Sequence, residues 1–286
     1  MKRNMMTYIL ILVLSLLFIS LLGFWSNVRP QKIDLGYLPA DFSLEPEGVV
    51  LNTKDNLRLS AWYIPKKDKN KNDRSVIMIL HGYPAEKSDM LSFAKALNPY
   101  FSTLLLDMRY FGKSEGKYST LGCREQDDLS QAVDFLKNKG YEKIGVLGFS
   151  LGGAVGIMAA EKDERINAVV SYASFSNLPK LARELYWFLP VVNYPMVELM
   201  DLFGKAFFGC DFKKDSPENS AKQLKIPVLI SHSMEDEQIS FSHAKDLERS
   251  LKGDQNAEFY FFEKGRHGYL PADFNERLIK FFEKSL

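Results

Sequence analysis

Six residues, Gly148-Phe149-Ser150-Leu151-Gly152-Gly153, constrain this chain more than any other stretch. They follow an apolar run, Ile144 to Leu147, and open a segment rich in Ala and Gly that reads as a helix. A chain turning so abruptly from strand to helix strains its backbone and brings the two elements close, so only small neighbours fit around the serine. A bare G-x-S-x-G arises often by chance, and its serine then merely caps a helix. With strand, turn and small-residue helix in succession, the pattern instead lifts the Ser150 hydroxyl out of the end of a strand, the position of a nucleophile.

From Ser75 onward, short apolar runs alternate with helical patterns, as buried parallel strands and crossover helices do. Expected strands are Val76 to Leu80, Thr103 to Asp107, Lys143 to Gly148, Ala168 to Ala173, Val228 to Ser231 and Glu258 to Phe262. Expected helices are Asp89 to Asn98, Arg124 to Lys139, Leu151 to Lys162, Phe241 to Leu251 and Asp273 to Lys284. Right-handed crossovers make of these an α/β fold, a mostly parallel doubly wound sheet with helices on both faces. Ahead of it, alternation in Val49 to Leu51 and Leu57 to Tyr63, around the turn signal Lys54-Asp55-Asn56, predicts a β-hairpin. Lys66 to Arg74 reads as a solvated loop.

One interval, Ser176 to Lys225, breaks the rhythm. It holds helix-like stretches at Lys180 to Leu189 and Met196 to Phe208, separated by Pro190 and Pro195, with Met196, Leu199, Phe203 and Phe207 on one face. At roughly fifty residues it is too long for an ordinary connection between strands and reads as a lid.

At the amino terminus, Met5 to Trp25 carries no charge and is long enough to cross a hydrocarbon core, which takes about 20 helical residues. Apolar residues occur all round it, which argues against a core helix of a globular body. Lys2 and Arg3 precede it and Trp25 closes it at an interfacial position. A cleaved signal peptide also begins this way, but no good small-x-small cleavage site follows. The expected organisation is an anchor over 1–28, a tether over 29–46 and a body over 47–286 with its lid at about 176–225. A short tail inside and a body outside the cytoplasm is the expected orientation of this single-pass membrane protein.

A net charge of +1, from 37 basic and 36 acidic residues, leaves no electrostatic footprint for nucleic acid. The two cysteines, Cys123 and Cys210, make neither a disulfide framework nor a four-ligand zinc site, and pair only if the fold brings them together. With no metal cluster and no G-x-G-x-x-G fingerprint, no cofactor is implied.

A serine hydroxyl needs a base within hydrogen-bond reach. Of the four histidines, His81 ends a strand and looks structural, His232 closes another, and His243 sits just inside a helix and is expected at the surface. His267, in the loop Lys264-Gly265-Arg266-His267-Gly268 after the last strand, lies at the carboxyl edge where α/β sites form, and is the expected base. The loop Met234-Glu235-Asp236-Glu237 supplies the carboxylate that orients it, Asp236 ahead of its rival Glu235 because the chain order Ser150, Asp236, His267 is that of the α/β-hydrolase triad.

Together with His81-Gly82 and the stretch Asp107-Met108-Arg109-Tyr110-Phe111-Gly112-Lys113-Ser114-Glu115-Gly116, these residues make the chain from about Gly48 to its end resemble the α/β-hydrolase superfamily, in particular its lid-bearing esterase, lipase and peptidase-like members. The resemblance implies a serine hydrolase fold with the insertion as lid, an oxyanion hole formed by the backbone N–H groups of Tyr83 and Leu151, and a bracing role for Asp107 and Arg109. Ser233 departs from the pattern, since relatives often carry Gly after that histidine.

The reading that follows is a membrane-tethered serine hydrolase with a catalytic Ser150, Asp236 and His267, cleaving an ester or thioester of a small-molecule or lipid acyl substrate. The lid residues Tyr186, Trp187, Phe188, Met196 and Phe203 either contact an apolar acyl portion or only pack the lid on the body. A peptidase or amidase would instead use acids such as Glu184, Glu198 or Asp201 to hold a substrate amine. A catalytically silent membrane module is the third reading.

Overall fold

Each apolar run is a strand because its alternate side chains have two covered faces to fill. In the computed structural model, which describes residues 2–67, 74–253 and 255–286, Val76, Met78 and Leu80 of β3 (Ser75–Leu80) enter one hydrophobic cluster. Leu129 and Val133 of α3 (Glu125–Asn138) and Ala154 and Val155 of α4 (Leu151–Lys162) complete it. Ile77 and Ile79 turn the other way, onto Leu91 and Ala94 of α2 (Leu91–Leu97) and Leu278 and Phe282 of α9 (Phe274–Ser285).

The remaining strands are β1 (Glu47–Asn52), β2 (Arg58–Ile64), β4 (Ser102–Leu106), β5 (Lys143–Phe149), β6 (Ile166–Tyr172), β7 (Val228–Ser233) and β8 (Ala257–Phe262). They form one eight-stranded sheet in the order β1-β2-β4-β3-β5-β6-β7-β8. The β1–β2 hairpin is antiparallel, β2 joins β4 antiparallel, and every later pairing is parallel. This is the α/β-hydrolase fold. From β3 the chain runs outward to β4 and returns to β5 on the other side, so the carboxyl ends of β3 and β5 flank a switch point, where open α/β sheets leave a crevice. Most of the expected solvated loop from Lys66 to Arg74 lies outside the described residues.

Between β6 and β7 the insertion folds as α5 (Leu178–Leu185), α6 (Asn193–Phe203) and a short α7 (Pro217–Ala221), which sequence patterning missed. The single face expected of Met196, Leu199, Phe203 and Phe207 is corrected beyond Phe203. There a π-turn, Gly204–Phe208, widens the helix by one residue per turn, so Phe208 is buried and Phe207 is exposed. Gly204 permits this, because a Cβ there would meet the Phe212 ring.

Helix α1 (Lys2–Val28) is, among the described residues, long and apolar enough to cross a membrane. Its first turns are exposed, whereas Ser20, Phe24 and Val28, four residues apart, are buried. Phe24 and Val28 pack with Met196 and Met200 of α6 and with Phe208 and Phe212. The same cluster contains the disulfide Cys123–Cys210, which joins the loop before α3 to the insertion across 87 residues.

Candidate active site

Ser150 sits between β5 and α4 with φ 53°, the left-handed region that costs a side-chain-bearing residue about 1–3 kcal/mol. Glycines on either side make the turn possible. A Cβ at Gly148 would run into the Gly152 carbonyl, and one at Gly152 would lie 2.5 Å from the Leu80 carbonyl oxygen of the neighbouring strand. The Ser150 N–H is held by the Tyr172 carbonyl at 2.8 Å, which fixes the turn against β6.

His267 comes from the loop after β8 and lays its ring on Phe149, the residue before Ser150, with centroids 4.9 Å apart. Its Nδ1 donates to Asp236 Oδ2 at 2.7 Å, so the proton is on Nδ1 and the Nε2 lone pair is free to take another. Asp236 is buried while Glu235 is exposed, because the turn after β7 points Asp236 inward. Burial raises the Asp236 carboxyl, but the hydrogen bonds from His267 and from the N–H groups of Ile239 (2.8 Å) and Gln238 (2.9 Å) outweigh it and hold the group below the ordinary carboxylate range. An ionised carboxylate is what fixes an imidazole in this tautomer.

Ser233, the departure from the family pattern, donates to the Gly265 carbonyl and so ties the acid loop to the histidine loop. Glu237, which sequence reasoning passed over, accepts from the His267 N–H at 3.0 Å and from Arg266. His81 is buried; its Nδ1 bonds the Gly82 carbonyl at 2.7 Å and its Nε2 accepts from the Met108 N–H at 3.0 Å, which leaves it neutral and fastens the Gly82-Tyr83 turn. A Cβ on Gly82 would lie 3.3 Å from the Ser150 Cβ, so this turn abuts the serine.

Asp107 and Arg109 stand in braces. The Asp107 carboxylate holds Lys87 and the N–H of Lys113, and Arg109 forms a two-pronged pair with Asp128 at 2.6 and 2.7 Å and reaches Asp55 at 3.0 Å.

A cavity of about 250 Å³ opens over Ser150. Tyr83, Leu151, Gln238 and Ile239 line it from the body, Leu178, Leu181 and Leu185 from α5, and Asn27 from α1. None of Tyr186, Trp187, Phe188, Met196 and Phe203, for which two readings are open, lines the cavity over Ser150, whose apolar wall comes from the α5 leucines. Met196 and Phe203 pack against α1, Trp187 and Phe188 are exposed, and Tyr186 turns its hydroxyl to Asn27 Nδ2 at 2.7 Å. Asn27 also accepts the Tyr83 hydroxyl on its carbonyl at 2.8 Å. No sequence signal marked it, since α1 is apolar on every side.

His243 corrects another expectation: it is fully buried rather than at the surface. Its Nδ1 accepts from the Ser176 N–H at 3.1 Å, which puts the ring proton on Nε2, 3.2 Å from Glu184 Oε2. The α8 helix (Phe241–Ser250) that carries it also offers Asp246 to Ser176 and Lys180, so this polar cluster pins the start of α5 to the body.

The profile of the α/β hydrolase fold matches residues 75–191, and that of the dienelactone hydrolase family matches residues 198–277. The chain belongs to the α/β-hydrolase superfamily. Within it, the chain is similar to the protein YqkD of Bacillus subtilis, 28% identical over 201 residues that cover 68% of this chain and 65% of that one. It is also similar to YfhR of Escherichia coli K12, 25% identical over 230 residues covering 75% and 73%. Among solved structures, the Pyrococcus furiosus esterase Pf2001 superposes with a TM-score of 0.71 at 24% identity, covering 90% of this chain and 99% of that one. Pyrococcus horikoshii acylaminoacyl peptidase does so with 0.68 at 21%, covering 85% and 42%. At these identities the superpositions speak for the fold.

Proposed function

We propose that this α/β-hydrolase is a membrane-anchored serine hydrolase that cleaves an ester or thioester of an apolar acyl group. The observation that carries the proposal is His267, bonded through Nδ1 to a buried Asp236 and packed against the residue before a strained Ser150. In the first half-reaction the Ser150 hydroxyl proton passes to His267 Nε2 as Oγ bonds the acyl carbon; the imidazolium then protonates the leaving alcohol or thiol as its bond to that carbon breaks. Water repeats the sequence on the acyl-enzyme and releases the carboxylic acid. The N–H groups of Tyr83 and Leu151, both beside Ser150 in the cavity, are the proposed donors to the developing oxyanion, and α5 is the lid over it.

Ester cleavage is favoured over aminopeptidase-like action because the acids proposed to hold an amine are engaged elsewhere. Glu198 pairs with Arg183 and Lys213, Asp201 with Lys205, and Glu184 faces His243. The disulfide supports a body in an oxidising compartment, and Lys2 and Arg3 support a cytoplasmic amino terminus. The burial of Phe24 and Val28 in the body supports an anchor that stays attached.

The deciding experiment is labelling with a fluorophosphonate probe. The full chain should form a Ser150 adduct and hydrolyse aryl esters, and Ser150→Ala should lose both, with at least a 1,000-fold drop in turnover. A folded chain that forms no adduct would return the protein to the class of silent membrane modules.

A further inference from the structure

A second cleft, apolar and narrow at about 60 Å³, lies between α1, α5 and α6. Phe24, Ala182, Val197 and Met200 belong to this cleft and not to the cavity over Ser150, while Leu181 and Leu185 line both. The two spaces are therefore neighbours, sharing the α5 leucines as a common wall between α1 and the serine. Phe24 stands at the end of the apolar span, and the turns that precede it, Met5 to Leu22, present apolar side chains outward. The insertion beside α1 is apolar on its outer surface as well: Trp187, Phe188 and Val191 are each more than half exposed. Phe188 contacts Tyr186, which bonds Asn27 of α1. Phe207 packs on Trp25 of α1 with centroids 5.7 Å apart. Aromatic rings at the boundary of a span are the mark of an interface with lipid headgroups.

The geometry points to a bilayer-borne acyl lipid as the substrate class: its chain lies along α1 in the Phe24–Met200 cleft, and its ester group reaches Ser150 past Leu181 and Leu185. This rests on the serine-hydrolase and anchor readings above. Asn27, bridging Tyr186 and Tyr83, lines both spaces and sits where an ester would leave the apolar arm, while Asp201, which also borders the cleft, is paired with Lys205. Each buried methylene favours binding by about fourfold, so a few carbons in the cleft suffice for a strong chain-length preference.

The test uses the full chain in phospholipid nanodiscs and alkyl fluorophosphonates with ethyl, octyl or hexadecyl chains, with Ser150 labelling read by mass spectrometry. The octyl and hexadecyl probes should label wild type at least tenfold faster than the ethyl probe, at rates that follow their mole fraction in the disc rather than their bulk concentration. Ala182→Phe fills the cleft and should cut the long-to-short rate ratio at least fivefold; Val197→Phe, from α6, should do the same. Labelling by the ethyl probe reports that each variant retains its site. Equal rates for all chain lengths in wild type, rates that track bulk concentration, or an unchanged ratio in both variants would overturn the bilayer route while leaving the hydrolase reading intact. Failure of every probe on wild type would remove the hydrolase reading itself.

Discussion

Asp236 and His267 form the shortest-range dependence in the site. The Asp236 carboxylate accepts from Gln238 and Ile239 as well as from His267, so replacing it with an amide leaves the turn nearly isosteric. An amide also presents an N–H where the imidazole needs an acceptor, and the ring then settles with its proton on the wrong nitrogen. Asp236→Asn should lower kcat for an aryl ester by about 1,000- to 10,000-fold with little change in KM. Glu235→Gln should be almost silent, since that side chain faces solvent; a larger loss in Glu235→Gln than in Asp236→Asn would reverse the assignment. Chain order favours Asp236 over Glu235, but only the turn after β7 shows which of the two is buried. The strain at Ser150 was legible because it demands small residues at Gly148 and Gly152. Nothing in a run of three acids says which one the backbone turns inward. Nor could a helix apolar all round announce that Asn27 and Phe24 face the protein.

Among the elements, α5 is the one whose hold on the body depends on acidity. His243 is buried against Ser176, Lys180 and Glu184 of the insertion and Asp246 of its own helix. Burial, with help from the Lys180 charge, pushes its pKa down to about 3, against about 6.5 for an unfolded histidine. The unfolded chain therefore binds the extra proton first, and this contribution to stability is full above about pH 6.5 and is lost progressively as pH falls toward 3. Between pH 7 and pH 5 the loss is about 2 kcal/mol. Glu184, raised by burial, acts in the opposite direction at more acid pH, while His81 and His232, both lowered by burial, add to the loss in the same window, so the His243 share is the difference between wild type and His243→Gln. Thermal melts should show a falling Tm from pH 7 to pH 5, flattened in His243→Gln. The disulfide makes an independent contribution to the same insertion. Closing a loop of 87 residues, it should add about 2–5 kcal/mol, read as a lower denaturant midpoint on reduction or in the Cys123→Ser, Cys210→Ser double variant. The second face of α6 illustrates why periodicity alone misplaced an element's inner side: a helical wheel assumes a constant step, and the π-turn at Gly204 changes it.

At the scale of the molecule, α1 is where the apolar span and the hydrolase body meet. A removable leader would have no reason to bury three of its residues in the fold it precedes, yet Ser20, Phe24 and Val28 are as buried as the core of the sheet. Its removal would bare Met196, Met200 and Phe208, take away the Asn27 bonds to Tyr83 and Tyr186, and open the cavity over Ser150 on one side. Full burial of a large apolar side chain stabilises by about 1.5–3 kcal/mol, so losing Phe24 and Val28 alone costs about 3–6 kcal/mol, a large part of what a domain of this kind possesses. A chain lacking residues 1–28 should therefore melt at least 5 °C below the full chain in the same detergent and lose most of its ester turnover, even with Ser150, Asp236 and His267 untouched. Chain mass measured on protein extracted from membranes should correspond to the uncleaved sequence. A truncated body with unchanged Tm and turnover would make α1 a tether only, and the two roles would then be separable.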